Sequence, residues 1–532
     1  MGNESDRSDL ITHVEDPDQK YLFHYGDGFL YDRLPIGTRI IYPPKPLTPI
    51  ADDTTAIKNA IENPLGAPPL SSQLRAGMKV TIAFDDLSLP LPPMETPDVR
   101  QRIIEIVLEV LAGAGIDDIH LIAALGLHRR MTPAELKRCV GAKVFNQFHP
   151  ERLYNHDAED NENLSFLGKT EMGEEVEINR RIAESDLLIY VNINLVPMDG
   201  GYKSLPTGIC SYRSIRHHHN THTLMHSLSY MHPPKSALHH SCQRIWKVIM
   251  EHINFFTIET TLNSATFPKL FPYLEKREKN FNLFDRLNFH INKTSLDIMP
   301  RAMARAVMQS MRAPYGLTGV HAGHTEPVHE KTLENVYKQQ LVPVKGQADI
   351  LVTGIPYVGP YNVDSIMNPI LVMCMALGYG FNFYHNLPLV RQGGAAIFTH
   401  PVDYDFHKIH HPSYIDFFEE VLTETTDSVE IEKRYEESFA HNPRYIDLYR
   451  NSYAYHGVHP FYAWYWGCYA LDYLGKVIFV KPRSVEAVRR MGFDYAKNLT
   501  EAIEMAQSFV GGSTPEITYY HYPPIFMCDV SA

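Results

Sequence analysis

Residues 79–125 of the chain read KVTIAFDDLSLPLPPMETPDVRQRIIEIVLEVLAGAGIDDIHLIAAL. The apolar runs at 79–84 and 117–125 are typical of short buried strands. The amphipathic segment at 97–115 lies between them and ends in glycines, which predicts a helix. Two strands joined through a helix form a βαβ unit, and the strands of such a unit are parallel. This stretch therefore predicts an α/β fold.

The same alternation continues along the rest of the chain. DLLIYVNI at 186–193 predicts a further strand in the first half. In the second half, strands are predicted at 348–355, 393–400, 476–481 and 516–521. A chain of 532 residues exceeds the size at which one hydrophobic core keeps growing. We therefore expect two α/β domains with mostly parallel sheets and an active-site cleft between them.

Composition indicates where these domains begin and end. Residues 1–50 are polar and then rich in proline, and we expect a flexible or extended N-terminal segment there. A charged, proline-punctuated stretch near residue 270 predicts a domain crossing. We therefore place a cofactor-binding α/β domain at 51–270 and a C-terminal α/β domain at 271–500. The terminal helix and strand at 501–532 are expected to pack back on the N-terminal domain.

The charge balance limits the kinds of partner. The net charge is −13 at pH 7, whereas nucleic acids and anionic membranes require a basic face. The sequence contains no run of eighteen apolar residues and no signal-peptide pattern at its start, and its six cysteines are scattered without a Cys-x-x-Cys pair. We expect a cytoplasmic protein with a small-molecule substrate and without nucleic acid or membrane partners. The sequence does not predict the oligomeric state.

A short turn at 126–130 follows the second strand of the βαβ unit, and a capping box at Thr132 begins the next helix. In open α/β sheets, ligands gather at the carboxyl ends of strands. His128 and Arg129 are therefore candidates for ligand contact. The usual glycine-rich nucleotide, serine hydrolase and zinc protease motifs are absent from the sequence.

Residues 200–219, GGYKSLPTGICSYRSIRHHH, combine two glycines, one lysine and a histidine cluster. Glycine lets the backbone approach a ligand, Lys203 offers a phosphate clamp or a nucleophilic amine, and imidazole is a common metal donor. The run therefore suggests a cofactor that needs both a lysine and a metal ligand. Eight histidines lie within 217–240, and a solvated, metal-binding surface explains most of them without a specific site.

Three segments in this order resemble the lactate racemase family: GLHRRMTPAEL at 126–136, GKTEMGEEVEINRRIAESDLLIYVNINLVP at 168–197, and the run at 200–219. That family uses a nickel pincer nucleotide to racemise or epimerise 2-hydroxy acids. The resemblance spans roughly residues 75–520 and is strongest in the first half. It identifies the chain as a divergent member.

The resemblance implies a nickel pincer nucleotide attached covalently at Lys203, with His219 as the nickel ligand of the protein. Both residue types suit these roles, because lysine is a conjugation-competent amine and imidazole nitrogen binds nickel. Asp86 matches a residue of the nucleotide-binding loop, although capping of a turn is a rival role. The further cofactor-binding residues that we expect are Ser88, Gly126, Gly200 and Gly201.

His128 matches a histidine that acts as general acid and base on the substrate hydroxyl. The family's second catalytic histidine is replaced by Met198, which cannot carry a proton, and about five residues are missing from this loop. The nearby candidates for that second role are His217, His218, Tyr202 and Asp199. Of these we predict His218 and Tyr202, together with His128, as the catalytic residues.

Leu89 stands where the family usually carries an arginine that faces the substrate. Losing this cation disfavours a small free acid such as lactate. We therefore predict a racemase or epimerase of a 2-hydroxy acid larger than lactate, acting by reversible hydride transfer to the nickel pincer nucleotide. The aromatic-rich segment 453–474 either lines that pocket or packs in the core.

Two alternatives of other classes remain. One is a divergent relative that binds metal or small ligands through its histidines without racemising a substrate. The other is a hydrolase or lyase that uses a histidine-bound metal on the same scaffold.

Overall fold

Two β-sheets flanked by helices organise the computed structural model, which describes residues 7–90 and 92–531, apart from the side chain of Ser8. The strands of these residues are β1 (Ile11–His13), β2 (Lys20–Gly26), β3 (Gly28–Arg33), β4 (Arg39–Ile41), β5 (Lys79–Asp85), β6 (Asp118–Ala124), β7 (Leu153–Asn155), β8 (Leu164–Lys169), β9 (Glu175–Asn179), β10 (Leu187–Asn194), β11 (Phe255–Leu262), β12 (Leu317–Gly323), β13 (Leu341–Lys345), β14 (Ala348–Pro356), β15 (Val390–Thr399), β16 (Lys476–Val480), β17 (Asp494–Ala496), β18 (Ile517–Tyr520) and β19 (Met527–Ser531).

The α-helices of the same residues are α1 (Asp53–Glu62), α2 (Val99–Gly113), α3 (Pro133–Phe148), α4 (Arg180–Ala183), α5 (Ser204–Gly208), α6 (Tyr212–Ile215), α7 (Thr221–Met225), α8 (Ala237–Met250), α9 (Leu283–Ile298), α10 (Arg301–Ser310), α11 (Thr325–Gln340), α12 (Pro369–Met373), α13 (Pro412–Asp416), α14 (Ser428–Ile431), α15 (Glu437–Ala440), α16 (Pro443–Asn451), α17 (His459–Tyr465), α18 (Cys468–Tyr473), α19 (Val485–Arg490) and α20 (Leu499–Val510). Single π-helical stretches at Cys374–Gly380, Phe417–Val421 and Glu432–Glu436 extend α12, α13 and α14. None of the helices in the described part of the chain has both the length and the apolar character of a membrane span.

The first sheet has the strand order β12-β11-β10-β5-β6-β7. All neighbouring pairs are parallel except β11 with β12. The predicted βαβ unit is present as β5, α2 and β6. Helix α2 begins after Asp98, whose side chain accepts a hydrogen bond from the Arg100 amide, and its buried face packs on the sheet through Ile103, Val107 and Leu111. The α/β fold with mostly parallel sheets is confirmed.

The second sheet has the order β1-β4-β18-β14-β15-β16-β17, and the hairpin β2-β3 joins the end of β14. Its central strands β14, β15, β16 and β18 are parallel to their neighbours and coincide with the four strands predicted for the second half. Strands β14 and β15 are almost completely buried from Ile350 and Gly394 onwards, as expected for a parallel sheet covered on both faces.

The domain boundaries differ from those expected from composition. Within the predicted N-terminal segment, residues 11–41 form strands of the second sheet rather than a flexible arm, because Phe23, Ile40 and Ile41 are completely buried there. The terminal strand β18 lies between β4 and β14, so it packs in the second sheet and not on the N-terminal domain.

The predicted domain crossing near residue 270 also lies within the first domain. Strand β12 pairs with β11 at the edge of the first sheet, and the chain returns to the second sheet only after α11. The proline-punctuated stretch forms short 3-10 turns instead. These turns carry Glu278, whose buried carboxylate accepts hydrogen bonds from the Leu22 amide (2.9 Å) and the Tyr42 hydroxyl (2.9 Å). The prolines therefore mark a contact between the domains.

Gly354 in β14 provides a test of the contact between the second sheet and the hairpin β2-β3. A Cβ atom at this position would lie 2.6 Å from both the backbone nitrogen and the backbone oxygen of His24. Because backbone atoms yield little, Gly354→Ala should lower stability by about 1–3 kcal/mol, which thermal unfolding followed by circular dichroism measures. Gly113→Ala is the matched control, since nothing lies within 4 Å of its Cβ position. Equal melting temperatures for both variants would contradict the packing described here.

Candidate functional site

A cavity of about 140 Å³ lies where the carboxyl ends of β5, β6 and β10 face the second domain. The first domain contributes Asp85, Asp86, Ser88, His128, Lys203 and His219, and the second contributes Tyr361, Tyr379, His459, Tyr462 and Trp466. The cavity therefore occupies the cleft between the domains, at the edge of the sheet where parallel α/β folds bind ligands.

His128 is held by a carboxylate on the neighbouring strand. Its Nδ1 lies 2.8 Å from Asp86 Oδ2 and 3.0 Å from Ser88 Oγ. Burial opposes ionisation of Asp86, but the charge of His128 and hydrogen bonds from His128 and Ser88 outweigh it and lower the pKa of this carboxyl. A carboxylate partner at Nδ1 favours the tautomer that carries its proton there and leaves Nε2 as the base.

Asp86 also has the rival role considered from the sequence. Its Oδ1 accepts a hydrogen bond of 2.9 Å from the Ser88 amide, so the side chain caps the turn after β5. The two functions are compatible, because the two oxygens are used separately. The structure brings Asp86, Ser88 and His128 together as one hydrogen-bonded group.

Lys203 reaches the cavity from a tight turn after β10. Gly200 and Gly201 both have positive φ values, 73° and 57°. A Cβ on Gly200 would collide with the side chains of Asn194 and Glu259, so only glycine fits. The Gly201 amide donates to Glu259 Oε1 (2.6 Å), and Glu259 Oε2 lies 3.1 Å from His329 Nδ1. This buried carboxylate fixes the turn that carries the lysine.

The Lys203 amine has an unusual environment. Lys203 forms no ion pair with any other described residue, although its side chain lines the cavity. Asp199 lines the same cavity, but its Oδ2 accepts from the backbone amides of Leu195 and Val196, both at 3.1 Å. The amine is therefore available to a ligand.

His219 presents a neutral imidazole to the cavity. Burial lowers its pKa well below the usual range, and the positive charges of His218 and Lys203 add to this effect. Its Nδ1 lies 2.7 Å from Nδ1 of His218, while its ring packs against Tyr462 and Trp466. An imidazole fixed through one nitrogen leaves the other free to bind a metal.

The structure does not bring the other two predicted catalytic residues to the cavity. His218 is completely buried behind His219 and reaches the site only through that ring. Tyr202 packs edge-on against Trp246, with ring centroids 4.9 Å apart. The reason is the 3-10 turn at Gly201–Lys203, in which successive side chains point in different directions. The catalytic predictions for His218 and Tyr202 therefore lack geometric support.

The predicted glycines also divide into two groups. Gly200 lines the cavity, whereas Gly126 and Gly201 act through the backbone. The Gly126 amide donates to the Gly208 carbonyl at 3.0 Å, and its φ of 52° allows the turn that carries His128. Gly201 anchors the lysine turn on Glu259. Their role is to shape the loops around a ligand.

The remaining histidines of the rich segment are dispersed. His217 Nε2 accepts from the Glu175 amide at 2.9 Å, and the exposed rings of His222 and His226 are tilted against each other with centroids 4.4 Å apart. Among the described residues, no group of three His, Cys, Asp or Glu side chains has an arrangement able to hold a metal ion. His219 would therefore be a single ligand from the protein.

His459 is a site residue that the sequence did not single out. It lies at the first position of α17, with its ring centroid 5.3 Å from that of His128 and 4.9 Å from that of Tyr361. The Tyr414 hydroxyl lies 2.6 Å from its Nδ1. Burial lowers the pKa of His459 well below the usual range, and the charge of His128 lowers it further. His459 is therefore a neutral base beside His128.

The aromatic-rich segment 453–474 serves both purposes considered from the sequence. His459 and Tyr462 of α17 and Trp466 just after it line the cavity, whereas Phe461 and Trp464 are completely buried in the core. His459, Tyr462 and Trp466 are three and four residues apart in the sequence, and this spacing predicts that they point to the same side. Tyr361 and Tyr379, from the segment after β14, had no such signal.

The two departures from the family pattern both face the cavity. Met198 and Leu89 line it, and their side chains are apolar. Asp85 lines the same cavity and is half-buried, and the loss of water around its carboxyl raises its pKa to about 7 despite hydrogen bonds from the Ile193 amide (2.7 Å) and the Asn192 side chain (2.9 Å). Burial likewise raises the pKa of Asp199.

The first part of the chain is similar in sequence to known proteins. Residues 25–231 match the family model described as the lactate racemase N-terminal domain. A lactate racemase from Lactiplantibacillus plantarum is 27% identical over 169 residues, which is 31% of this chain and 38% of that protein. A lactate racemase from Thermoanaerobacterium thermosaccharolyticum is 26% identical over 172 residues, 31% of this chain and 37% of that protein. The match therefore spans less than two fifths of the length of these curated relatives.

The fold extends the likeness to nearly the whole chain. The apoprotein of lactate racemase from T. thermosaccharolyticum superposes with a TM-score of 0.61 at 18% identity, over 96% of this chain and all of that chain. A protein from Thermotoga maritima gives a TM-score of 0.51 at 16% identity, over 92% of this chain and all of that chain. The chain therefore has the two-sheet α/β fold of the lactate racemase apoprotein. Over residues 25–231 it contains a domain that matches the lactate racemase N-terminal domain, as the sequence motifs predicted.

The raised pKa of Asp85 has a consequence for stability that Asp85→Asn tests. The pKa of Asp85 in the folded protein, about 7, lies above the ordinary value of an aspartate. The protonated carboxyl therefore stabilises the fold fully at pH values below that ordinary value, and this contribution is lost as the pH rises through 7. Asparagine does not ionise. The melting temperature of Asp85→Asn relative to the native chain should therefore rise by roughly 3 °C between pH 5 and pH 8.5.

Thermal unfolding at both pH values measures this difference. Asp18→Asn is the control, because the side chain of Asp18 is 84% exposed and its offset should not change with pH. If the difference in melting temperature between Asp85→Asn and the native chain were the same at both pH values, the raised pKa of Asp85 would be contradicted.

Proposed function

We propose that this protein is a racemase or epimerase that inverts the hydroxyl-bearing carbon of a 2-hydroxy acid, or of a derivative of one, larger than lactate. The observation that carries the proposal is the convergence of His128, Lys203 and His219 on one cavity at the carboxyl ends of parallel strands. The relatives in the first domain are lactate racemases, which supports an isomerase.

The residues present fit the nickel pincer nucleotide that the family resemblance implies. Lys203 offers an amine without an ion pair among the described residues, and His219 offers a buried neutral imidazole whose other nitrogen is already fixed. In the proposal, Lys203 would hold the cofactor covalently and His219 would bind its nickel. When bound, this cofactor supplies a centre that takes a hydride from the substrate and returns it.

The protein must move the proton of the substrate hydroxyl. His128 is suited to this role, since Asp86 fixes its Nδ1 and leaves Nε2 to remove the proton as the substrate is oxidised. Asp86 also stabilises the imidazolium that forms. His128 would return this proton to the substrate oxygen as the C–H bond forms again, and the configuration would be inverted where that bond forms on the opposite face of the carbon.

His459 is the residue that we propose for the second proton transfer, which Met198 cannot perform. Its ring lies 5.3 Å from that of His128, so the carbonyl oxygen of a keto compound that reorients in the cavity can reach either imidazole. Tyr414 orients His459 through Nδ1, as Asp86 orients His128. The cavity therefore contains two imidazoles for proton transfer.

Intact-mass spectrometry of the protein from cells that make the cofactor tests the proposal. The native chain should carry an adduct, and Lys203→Arg should lose it completely because a guanidinium is not a comparable nucleophile. Lys235→Arg is the matched control and should keep the adduct, since Lys235 lies outside the cavity. A native chain without an adduct would contradict the proposal and favour a non-racemising relative or a metal-dependent hydrolase.

A second test asks whether His218 positions the imidazole of His219. Replacing it by phenylalanine removes the hydrogen bond to His219 Nδ1, and loss of such a partner typically weakens metal binding by about 10–100-fold. Nickel content after dialysis of the holoprotein should therefore fall in His218→Phe and be unchanged in His240→Phe. Full retention of nickel in His218→Phe would remove His218 from the site.

A further inference from the structure

We infer that the substrate is a neutral derivative of a 2-hydroxy acid, an amide, ester or lactone, that carries an aromatic or similarly large apolar group. This inference rests on the proposed function and names the substrate class of the same cavity. The observations that carry it are the charges and the shape of the cavity wall.

The cavity contains almost no positive charge for a substrate carboxylate. Among the described residues that line it, Lys203 is the only lysine or arginine, and in the proposed function the bond to the cofactor uses its amine. Three carboxyl groups line the same wall, those of Asp85, Asp86 and Asp199. A carboxylate on the substrate would therefore find no free lysine or arginine among the described residues of the cavity wall.

The arginines closest to the cavity are already paired. Arg129 donates to both oxygens of Glu135 (3.0 and 2.6 Å) and to the Val363 carbonyl (2.9 Å). Arg100 forms a bidentate pair with Asp98 (2.9 and 2.7 Å) and also donates to the carbonyl of Asp85. Both guanidinium groups are buried, so recruiting either for a substrate would leave a carboxylate buried without its partner.

The histidines do not supply the missing charge. In the proposed function the free nitrogen of His219 binds nickel, and Nδ1 of His459 is already paired with the Tyr414 hydroxyl at 2.6 Å. His128 is hydrogen-bonded to the Asp86 carboxyl, so it does not offer an unpaired cation either. Transfer of a free carboxylate into such a cavity removes its hydration without an opposite charge in return.

The opposite features favour a neutral, bulky substrate. Tyr361, Tyr379, Tyr462 and Trp466 form one wall, and Leu89 and Met198 add apolar surface. The hydroxyls of Tyr361 and Tyr379 lie 3.1 Å apart and bond to each other, which leaves one O–H of the pair to donate to an uncharged carbonyl. Rings of this kind provide stacking area for an aromatic substituent. Leu89, at the position of the family's arginine, is thus a determinant of specificity.

Isothermal titration of the holoprotein with three matched compounds tests the inference: phenyllactamide, phenyllactate and lactamide. Phenyllactamide should bind at least about tenfold more tightly than phenyllactate, because the two differ chiefly in charge, and more tightly than lactamide, because of the ring. Chiral chromatography of the same mixtures should show inversion of phenyllactamide. Equal or tighter binding of phenyllactate, or no binding of phenyllactamide, would overturn the inference.

Leu89→Arg provides the reciprocal variant. It restores a cation to the cavity and should reverse the preference in favour of phenyllactate, whereas the neutral control Leu89→Met should keep the preference for phenyllactamide. If Leu89→Arg does not fold, the comparison of the three compounds on the native chain still decides. The mass of the Lys203 adduct is measured on the same preparation, so preference for the acid with the adduct present would reject the inference alone, whereas a missing adduct would reject the proposed function.

Discussion

The parallel alignment of β5, β6 and β10 is the constraint on which the site depends. Parallel neighbours end at the same edge of a sheet, and the register pairs Asp85 with Ala124 and Phe84 with Val191. The loops that leave these strands therefore start side by side, although they come from parts of the chain about 40 to 110 residues apart. Asp86, His128 and Lys203 meet because each follows one of these strands. A strand slipped by one residue would turn its core side chains to the opposite face.

The second domain completes this edge by direct hydrogen bonds to the same loops. The Tyr449 hydroxyl donates to the Gly126 carbonyl at 2.7 Å, and the His456 amide donates to the Leu127 carbonyl at 3.3 Å. These bonds hold the two residues just before His128 against the segment that leads into α17. The position of His459 relative to His128 is thus set by contacts of neighbouring residues as well as by the two rings themselves.

The sequence was informative wherever a local pattern had a single structural solution. The βαβ unit at 79–125 and the capping box at Thr132 could be predicted because apolar period and capping chemistry act within a few residues. His128, Lys203 and His219 could be placed in one cavity through their motifs. His459 and Tyr361 could not, because they reach the cavity by contacts between distant segments. The strands at 11–41 were missed because they are short and become strands only beside β14 and β18.

The interleaving of β4, β18 and β14 has a consequence for the order of events during synthesis. Strand β18 lies between a strand from residues 39–41 and one from residues 348–356, so the second sheet cannot assemble until about 480 residues after β4 have been made. The first sheet needs no such partner and can form earlier on the ribosome. The lysine turn then exists before its covering wall does. The Lys203 amine is therefore exposed during this interval, and the second domain then covers the cavity that it lines.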